Sequence, residues 1–108
     1  MNDTFNELIN GKIPVLVDFS AEWCGPCKMM KPVLEQLKRD MTDKIRILKI
    51  DVDRNPELAH KYNIKSVPSL LLFQEDQICW NGVGVVTSNY LKNVINNNCT
   101  VFTDQETL

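Results

Sequence analysis

The feature that most constrains this chain is a strand that passes directly into a helix with two cysteines at the turn. From Val15 to Phe19 the sequence reads V-L-V-D-F, an apolar, β-branched and aromatic run interrupted only by Asp18. Such a run predicts a strand buried on both faces. From Lys28 to Met41, the residues Met29, Met30, Val33, Leu34, Leu37 and Met41 recur at the spacing of one helical face. Cys24-Gly25-Pro26-Cys27 lies between the two patterns. Residues three apart in a first helical turn share a face, which brings two sulfurs within bonding reach. Pro26 suits that turn, because the amide hydrogen it lacks would have had no intrahelical acceptor.

That placement predicts unequal thiols. Cys24, outermost and nearest the unpaired amides of the helix start, is expected to favour the thiolate and act as nucleophile. Cys27, one turn in, is expected to be more sheltered and less ionised. Sequential roles follow: Cys24 attacks a substrate disulfide, and Cys27 then attacks Cys24 to release the reduced product. A structural crosslink is the weaker reading, since closing so short a loop removes little unfolded-state entropy. Half of a zinc site is weaker still, because Cys79, Cys99 and His60 each stand alone in the sequence.

The string F-S-A-E-W-C-G-P-C-K resembles the active-site signature of the thioredoxin family. The resemblance continues through Lys49, Asp53, Val67-Pro68, the run Leu70 to Phe73, and Val83-Gly84, and so covers Thr4 to about Asn98. It implies a small α/β fold with a central mixed sheet flanked by helices, and reduction of disulfides in other proteins by a Cys24/Cys27 dithiol. No cofactor beyond that redox-active disulfide is implied, and the implied electron donor is an NADPH-dependent flavin reductase. Two other readings use the same residues: an oxidase or isomerase running the exchange in the opposite direction, and a binding subunit in which redox chemistry is incidental. The Gly25-Pro26 dipeptide favours the reductant.

Two further stretches carry expected site residues. Desolvation is expected to raise the pKa of Asp18, making it a proton acceptor for Cys27; the resemblance implies that role, through a water. Lys49, between Leu48 and Ile50 in the next strand, is expected to modulate that charge or simply to pair with it. By resemblance, Pro68 faces the cysteine pair behind a cis bond, and Val67 offers its backbone to an extended substrate segment. The resemblance also places Trp23, Gly25, Pro26, Val67, Val83 and Gly84 in a substrate rim with little side-chain bulk.

The remaining elements frame that site. A short first helix is expected over Asp3 to Asn10, capped by Asp3, with Phe5, Leu8 and Ile9 inward. The family strand that usually precedes it has no counterpart in the sequence, so a sheet of about four strands is expected, or an edge strand made in some other way. A strand over Ile45 to Val52 leads to Asp51 and Asp53, which read as turn chemistry because the oxygen-ligand spacing of a calcium loop is missing. Asn55 is expected to cap a helix over Pro56 to Tyr62. Leu70 to Phe73 and Gln77 to Asn81 form a hairpin whose turn lacks the usual asparagine and glycine. Thr87 or Ser88 caps a last helix with Tyr90, Leu91, Val94 and Ile95 toward the sheet. Pro32 is expected to bend the long helix without consequence, and His60 is read as an ordinary surface side chain.

At 108 residues the chain makes one domain, expected over residues 1–98, with a polar, frayed extension over 99–108. Cys79 reads as core and Cys99 as exposed. A net charge of −2 carries no nucleic-acid footprint, and no apolar run approaches membrane-spanning length. Met1 to Lys12 has neither a basic start nor an apolar segment, so a cytoplasmic address is expected; the resemblance implies disulfide-containing proteins as partners of a monomer.

Overall fold

Strand β1 (Val15–Ser20) is buried at all six positions, as its sequence predicts, because it is flanked by a strand on either side and covered on both faces. In the computed structural model, which describes residues 2–102, α1 (Asn2–Ile9) precedes it. It is followed by α2 (Gly25–Met41), a 3₁₀ turn (Thr42–Lys44), β2 (Arg46–Asp51), α3 (Pro56–Lys61), β3 (Ser69–Gln74), β4 (Gln77–Val83) and α4 (Ser88–Asn98). The sheet has the order β2-β1-β3-β4, with β1 parallel to β2 and antiparallel to β3, and β3 antiparallel to β4. It is the mixed four-stranded α/β sheet expected from the sequence. Among the described residues, no helix is long and apolar enough to cross a membrane.

Alternation along β1 builds two cores. Val15, Val17 and Phe19 join Phe5 and Ile9 of α1, Leu58 of α3, and Leu71 and Phe73 of β3 on one face. Leu16 joins Met30, Leu37 and Met41 of α2 and Leu91, Val94 and Ile95 of α4 on the other. Successive strand side chains point to opposite faces, so Asp18, two residues after Leu16, lies on the α2 side. Each fully buried large apolar side chain contributes roughly 1.5–3 kcal/mol.

Several local expectations are corrected. Helix α1 begins at Asn2, so Asp3 lies within its first turn and not before it. Leu8, expected inward, is exposed, as are Met29 of α2 and Tyr90 of α4. In each case the buried face is narrower than the apolar pattern suggests; Tyr90 instead packs edge-on against Trp80. Helix α2 runs unbroken through Pro32. Asn55 sits at the N-cap of α3 but makes no cap bond: its Nδ2 donates back to the Asp51 carbonyl at 3.0 Å. Thr87 caps α4, its hydroxyl accepting from the Tyr90 amide at 3.1 Å.

The β3–β4 hairpin turns on Glu75 and Asp76, with φ of 51° and 70°. Tight hairpins favour positive φ at both central residues, which usually selects asparagine and glycine. Here their amides donate to the Gly11 carbonyl at 2.9 Å and the Ile9 carbonyl at 3.1 Å. Two such bonds, at about 1 kcal/mol each, offset half or more of a left-handed cost of about 1–2 kcal/mol per residue. Beyond Asn98, Cys99 and Val101 pack against the α2–α4 core, and the Thr100 amide donates to Gln74 Oε1 at 3.0 Å. The acidic run from Thr103 to Thr107 lies outside the described residues.

Candidate functional site

The Ser20–Gly25 turn delivers both cysteines to the start of α2. Cys24 is the N-cap residue and Cys27 stands in the first turn, and the two are joined as a disulfide with Cα atoms 5.3 Å apart. Cys24 Sγ accepts a hydrogen bond from the Cys27 amide at 3.2 Å, doing for the helix what a serine or aspartate oxygen does elsewhere. Cys24 Sγ also lies 3.7 Å from the Val67 carbonyl oxygen. The expectation that Cys24 is the exposed member and Cys27 the sheltered one is not met at the level of the whole residue: each is 4 % exposed. The asymmetry lies in the surroundings, because Cys24 alone receives the helix-start amide and faces the Val67 backbone.

Ala21, Cys24 and Cys27 form a small apolar cluster with Val52 and Val67. The Val67–Pro68 bond is cis, as the family resemblance implied. Pro68 is buried, and its carbonyl accepts from the Gly84 amide at 2.9 Å, which draws the end of β4 to the Pro68 turn. Gly84 has φ of +96°, a conformation open to glycine and costly for other residues. The residues expected to form the rim thus gather on one end of the sheet. Trp23 is 72 % exposed, Gly25, Pro26 and Val83 are exposed, and Val67 and Gly84 are half-buried.

Asp18 is 1 % exposed, and its Oδ1 has no hydrogen-bond partner among the described residues. Burial pushes its carboxyl from the ordinary 3.8 up to about 6, against the opposing pull of the Lys49 ammonium. Lys49 is directly opposite Asp18 in the β1–β2 register but is itself exposed, and no ion pair joins them among the described residues. The pairing of Asp18 with Lys49 is therefore a field effect and not a salt bridge. A groove of about 480 Å³ between α2 and β2 is lined by Asp18, Lys31, Leu34, Glu35 and Lys49 among others. A second, of about 620 Å³, is lined by Cys27, Ser20, Lys28, Lys49 and Asp51.

Sequence reasoning assigned Asp53 only to the turn after β2. In the structure its Oδ2 accepts the indole N–H of Trp23 at 2.8 Å and so fixes an exposed member of the expected rim. Asp51 does the turn work, its Oδ1 accepting from the amides of Asp53 at 2.8 Å and Arg54 at 3.1 Å. The only signal for Asp53 in the sequence was its place in the stretch shared with the family. His60 is exposed on α3, and among the described residues no three His, Cys, Asp or Glu side chains are grouped to hold a metal ion.

The family model described as thioredoxin matches residues 1–97. A thioredoxin of Rickettsia bellii is 42 % identical over 92 residues, covering 85 % of this chain and 88 % of its own length. One from Bacillus subtilis is 48 % identical over 82 residues, covering 76 % and 79 %. Among solved structures, a mutant thioredoxin from Halobacterium salinarum superposes with a TM-score of 0.80 at 34 % identity, over 92 % of this chain and 86 % of that one. Mitochondrial thioredoxin 3 of Saccharomyces cerevisiae, in oxidised form, gives 0.79 at 32 %, over 88 % and 89 %.

Proposed function

The chain belongs to the thioredoxin family, and on that premise we propose that it reduces disulfide bonds in other proteins through Cys24 and Cys27, with no prosthetic group. The observation that carries this reading is the Cys24–Cys27 disulfide at the start of α2, set beside the Val67–Pro68 backbone. In the reduced protein the Cys24 thiolate, stabilised by the Cys27 amide, attacks one sulfur of the substrate disulfide. The other substrate sulfur leaves as thiolate, and a mixed disulfide joins Cys24 to the substrate. Cys27 then loses its proton and attacks Cys24 Sγ, releasing the second substrate thiolate and closing the intramolecular disulfide. Two electrons pass to the substrate, and the protein ends in the oxidised form seen here.

Asp18 is the proposed proton acceptor for Cys27. A carboxyl near 6 is poised to take a proton at neutral pH, unlike an ordinary aspartate. Lys49 is a positioning charge that keeps the carboxyl from rising further. The rim of Trp23, Gly25, Pro26, Val67, Val83 and Gly84 takes an extended substrate segment by backbone pairing and modest apolar contact. An NADPH-dependent flavin reductase returns electrons to Cys24 and Cys27, and the protein works in the cytoplasm as a monomeric electron carrier.

The test is the reduction potential of the Cys24/Cys27 pair, titrated against dithiothreitol with Trp23 fluorescence as readout, together with turnover on a disulfide-bonded protein. A potential more negative than the glutaredoxin range of about −200 to −230 mV supports the reductant. A potential close to that of disulfide isomerases, about −180 mV, assigns the chain to oxidation or isomerisation instead.

A further inference from the structure

The two cysteines outside the active site are not independent. Cys79 lies on β4, where the β3–β4 register shifts: Leu72 pairs with Trp80 and Phe73 with Ile78, leaving Cys79 as the extra residue of a bulge. A bulge breaks strict alternation and re-aims a side chain. Here it places consecutive residues, Cys79 and Trp80, on the α2–α4 face, while Ile78 stays exposed. Cys99 follows the last residue of α4, its amide closing the helix on the Ile95 carbonyl at 2.9 Å, and it packs against the same core. Gln74 pins the next residue: its Nε2 donates to the Thr100 carbonyl at 2.8 Å and its Oε1 accepts the Thr100 amide at 3.0 Å. The helix end is thereby held against the start of the hairpin, which sets Cys99 beside Cys79 on the same core, with Cys79 Sγ donating to the Gln77 carbonyl at 3.7 Å. Both are half-buried, reachable by small reagents yet held by packing.

We propose that Cys79 and Cys99 form a second, reversible dithiol–disulfide couple, oxidised by low-molecular-weight disulfides, which fastens the C-terminal end of α4 to β4. It is separate from the first couple. Cys79 neighbours the Phe73–Val15 end of the sheet, whereas Cys24 follows the opposite end of β1, about 16 Å away along the strand. The order of events follows from the surroundings. Burial first, then the neighbouring Cys79, pushes the Cys99 thiol up, which disfavours its thiolate. Attack by either cysteine gives the same product, and Cys79 is assigned the first. Its thiolate displaces one thiolate from the small disulfide and forms a mixed disulfide. Cys99 then attacks Cys79 Sγ, its proton going to the second departing thiolate. One small disulfide is consumed and two thiols are released, a two-electron oxidation of the protein.

The full chain is incubated with oxidised glutathione, its remaining thiols are blocked with N-ethylmaleimide, and it is digested with trypsin without reduction. Cleavage after Lys65 and Lys92 puts Cys79 and Cys99 on different peptides, one spanning Ser66 to Lys92 and the other beginning at Asn93. The expected result is these two peptides joined, two hydrogens lighter than their sum, in a monomeric protein, and separated again by dithiothreitol. In Cys79→Ser the Cys99 peptide is expected to be recovered blocked, with Cys24–Cys27 still oxidised. Recovery of Cys79 and Cys99 each blocked or each glutathionylated, from protein whose Cys24–Cys27 pair is oxidised, overturns the proposal. A Cys79–Cys99 link found only between two copies overturns it equally.

Discussion

Replacing Asp18 by asparagine is expected to stabilise the protein at neutral pH, even though it removes a proposed proton acceptor. Asp18 is 1 % exposed, its Oδ1 has no partner among the described residues, and burial lifts its carboxyl from 3.8 to about 6. Each tenfold change in proton affinity corresponds to about 1.4 kcal/mol, so holding this carboxyl ionised costs the fold about 3 kcal/mol. The sign follows from proton counting. Between about pH 4 and 6 the folded chain keeps a proton that the unfolded chain has released, so stability falls as pH rises. The contribution is fully present below 3.8 and is lost as pH passes about 6. Asparagine is neutral throughout and close in shape to the protonated acid. Urea unfolding of both proteins from pH 4 to pH 8, followed by tryptophan fluorescence, isolates the difference because every other carboxylate is common to both. The variant is expected to gain about 2–3 kcal/mol on the wild type between those limits. Stability curves that stay parallel across that interval would refute the burial argument.

The remaining expectations concern the chemistry and the rim. Cys24→Ser is expected to abolish disulfide reduction, whereas Cys27→Ser is expected to accumulate a covalent complex with substrate that mass spectrometry detects; turnover by the first variant would remove Cys24 from the nucleophile's role. In single-turnover stopped flow, the release step of the wild type is expected to accelerate as pH rises through about 6, as Asp18 ionises, while the first attack is spared. Asp18→Asn should lose that inflection and Lys49→Met should move it upward, since the Lys49 charge lowers the Asp18 pKa; an unmoved inflection assigns the titration to another group. Gly82→Ala brings a Cβ within 2.5 Å of the Trp80 ring, which packs on Tyr90 and the α2–α4 core. The displaced ring is expected to cost about 1–3 kcal/mol in urea unfolding, and a neutral result would show that it moves freely.

The parts of the fold legible in the sequence are those where one period holds over a whole element. Val15 to Phe19 is apolar because β1 is covered on both faces, and α2 shows its helical face from Met30 to Met41. What stayed hidden depends on chains meeting from far apart. Met29 and Tyr90 fit the apolar pattern yet are exposed, because a neighbour's position, and not the helix's own period, sets the width of the buried stripe. The turn at Glu75 and Asp76 offered no asparagine or glycine because part of its support comes from the carbonyls of Ile9 and Gly11, more than sixty residues away. The bulge at Cys79 leaves no trace in composition, so the meeting of Cys79 with Cys99 was equally invisible. Within the site, Cys24 and Cys27 were legible as a pair, but their equal burial was not.

The position of Asp18 ties these levels together. Its place on the α2 face follows from strand alternation alone, two residues beyond Leu16, and the same alternation puts it beneath the helix that carries Cys27. The proposed substrate rim lies elsewhere, with Trp23, Val67 and Val83 toward one end of the sheet. A groove between α2 and β2 reaches Asp18, and another reaches Cys27, with Lys49 lining both. Electrons and protons therefore need not compete for one opening. On the proposed mechanism, a substrate segment that covers Cys24 leaves the grooves at Cys27 and Asp18 open along the Lys49 side. On this geometry, a bulky replacement at Lys49 should slow release of product without weakening substrate binding. A replacement at Val83 should do the reverse.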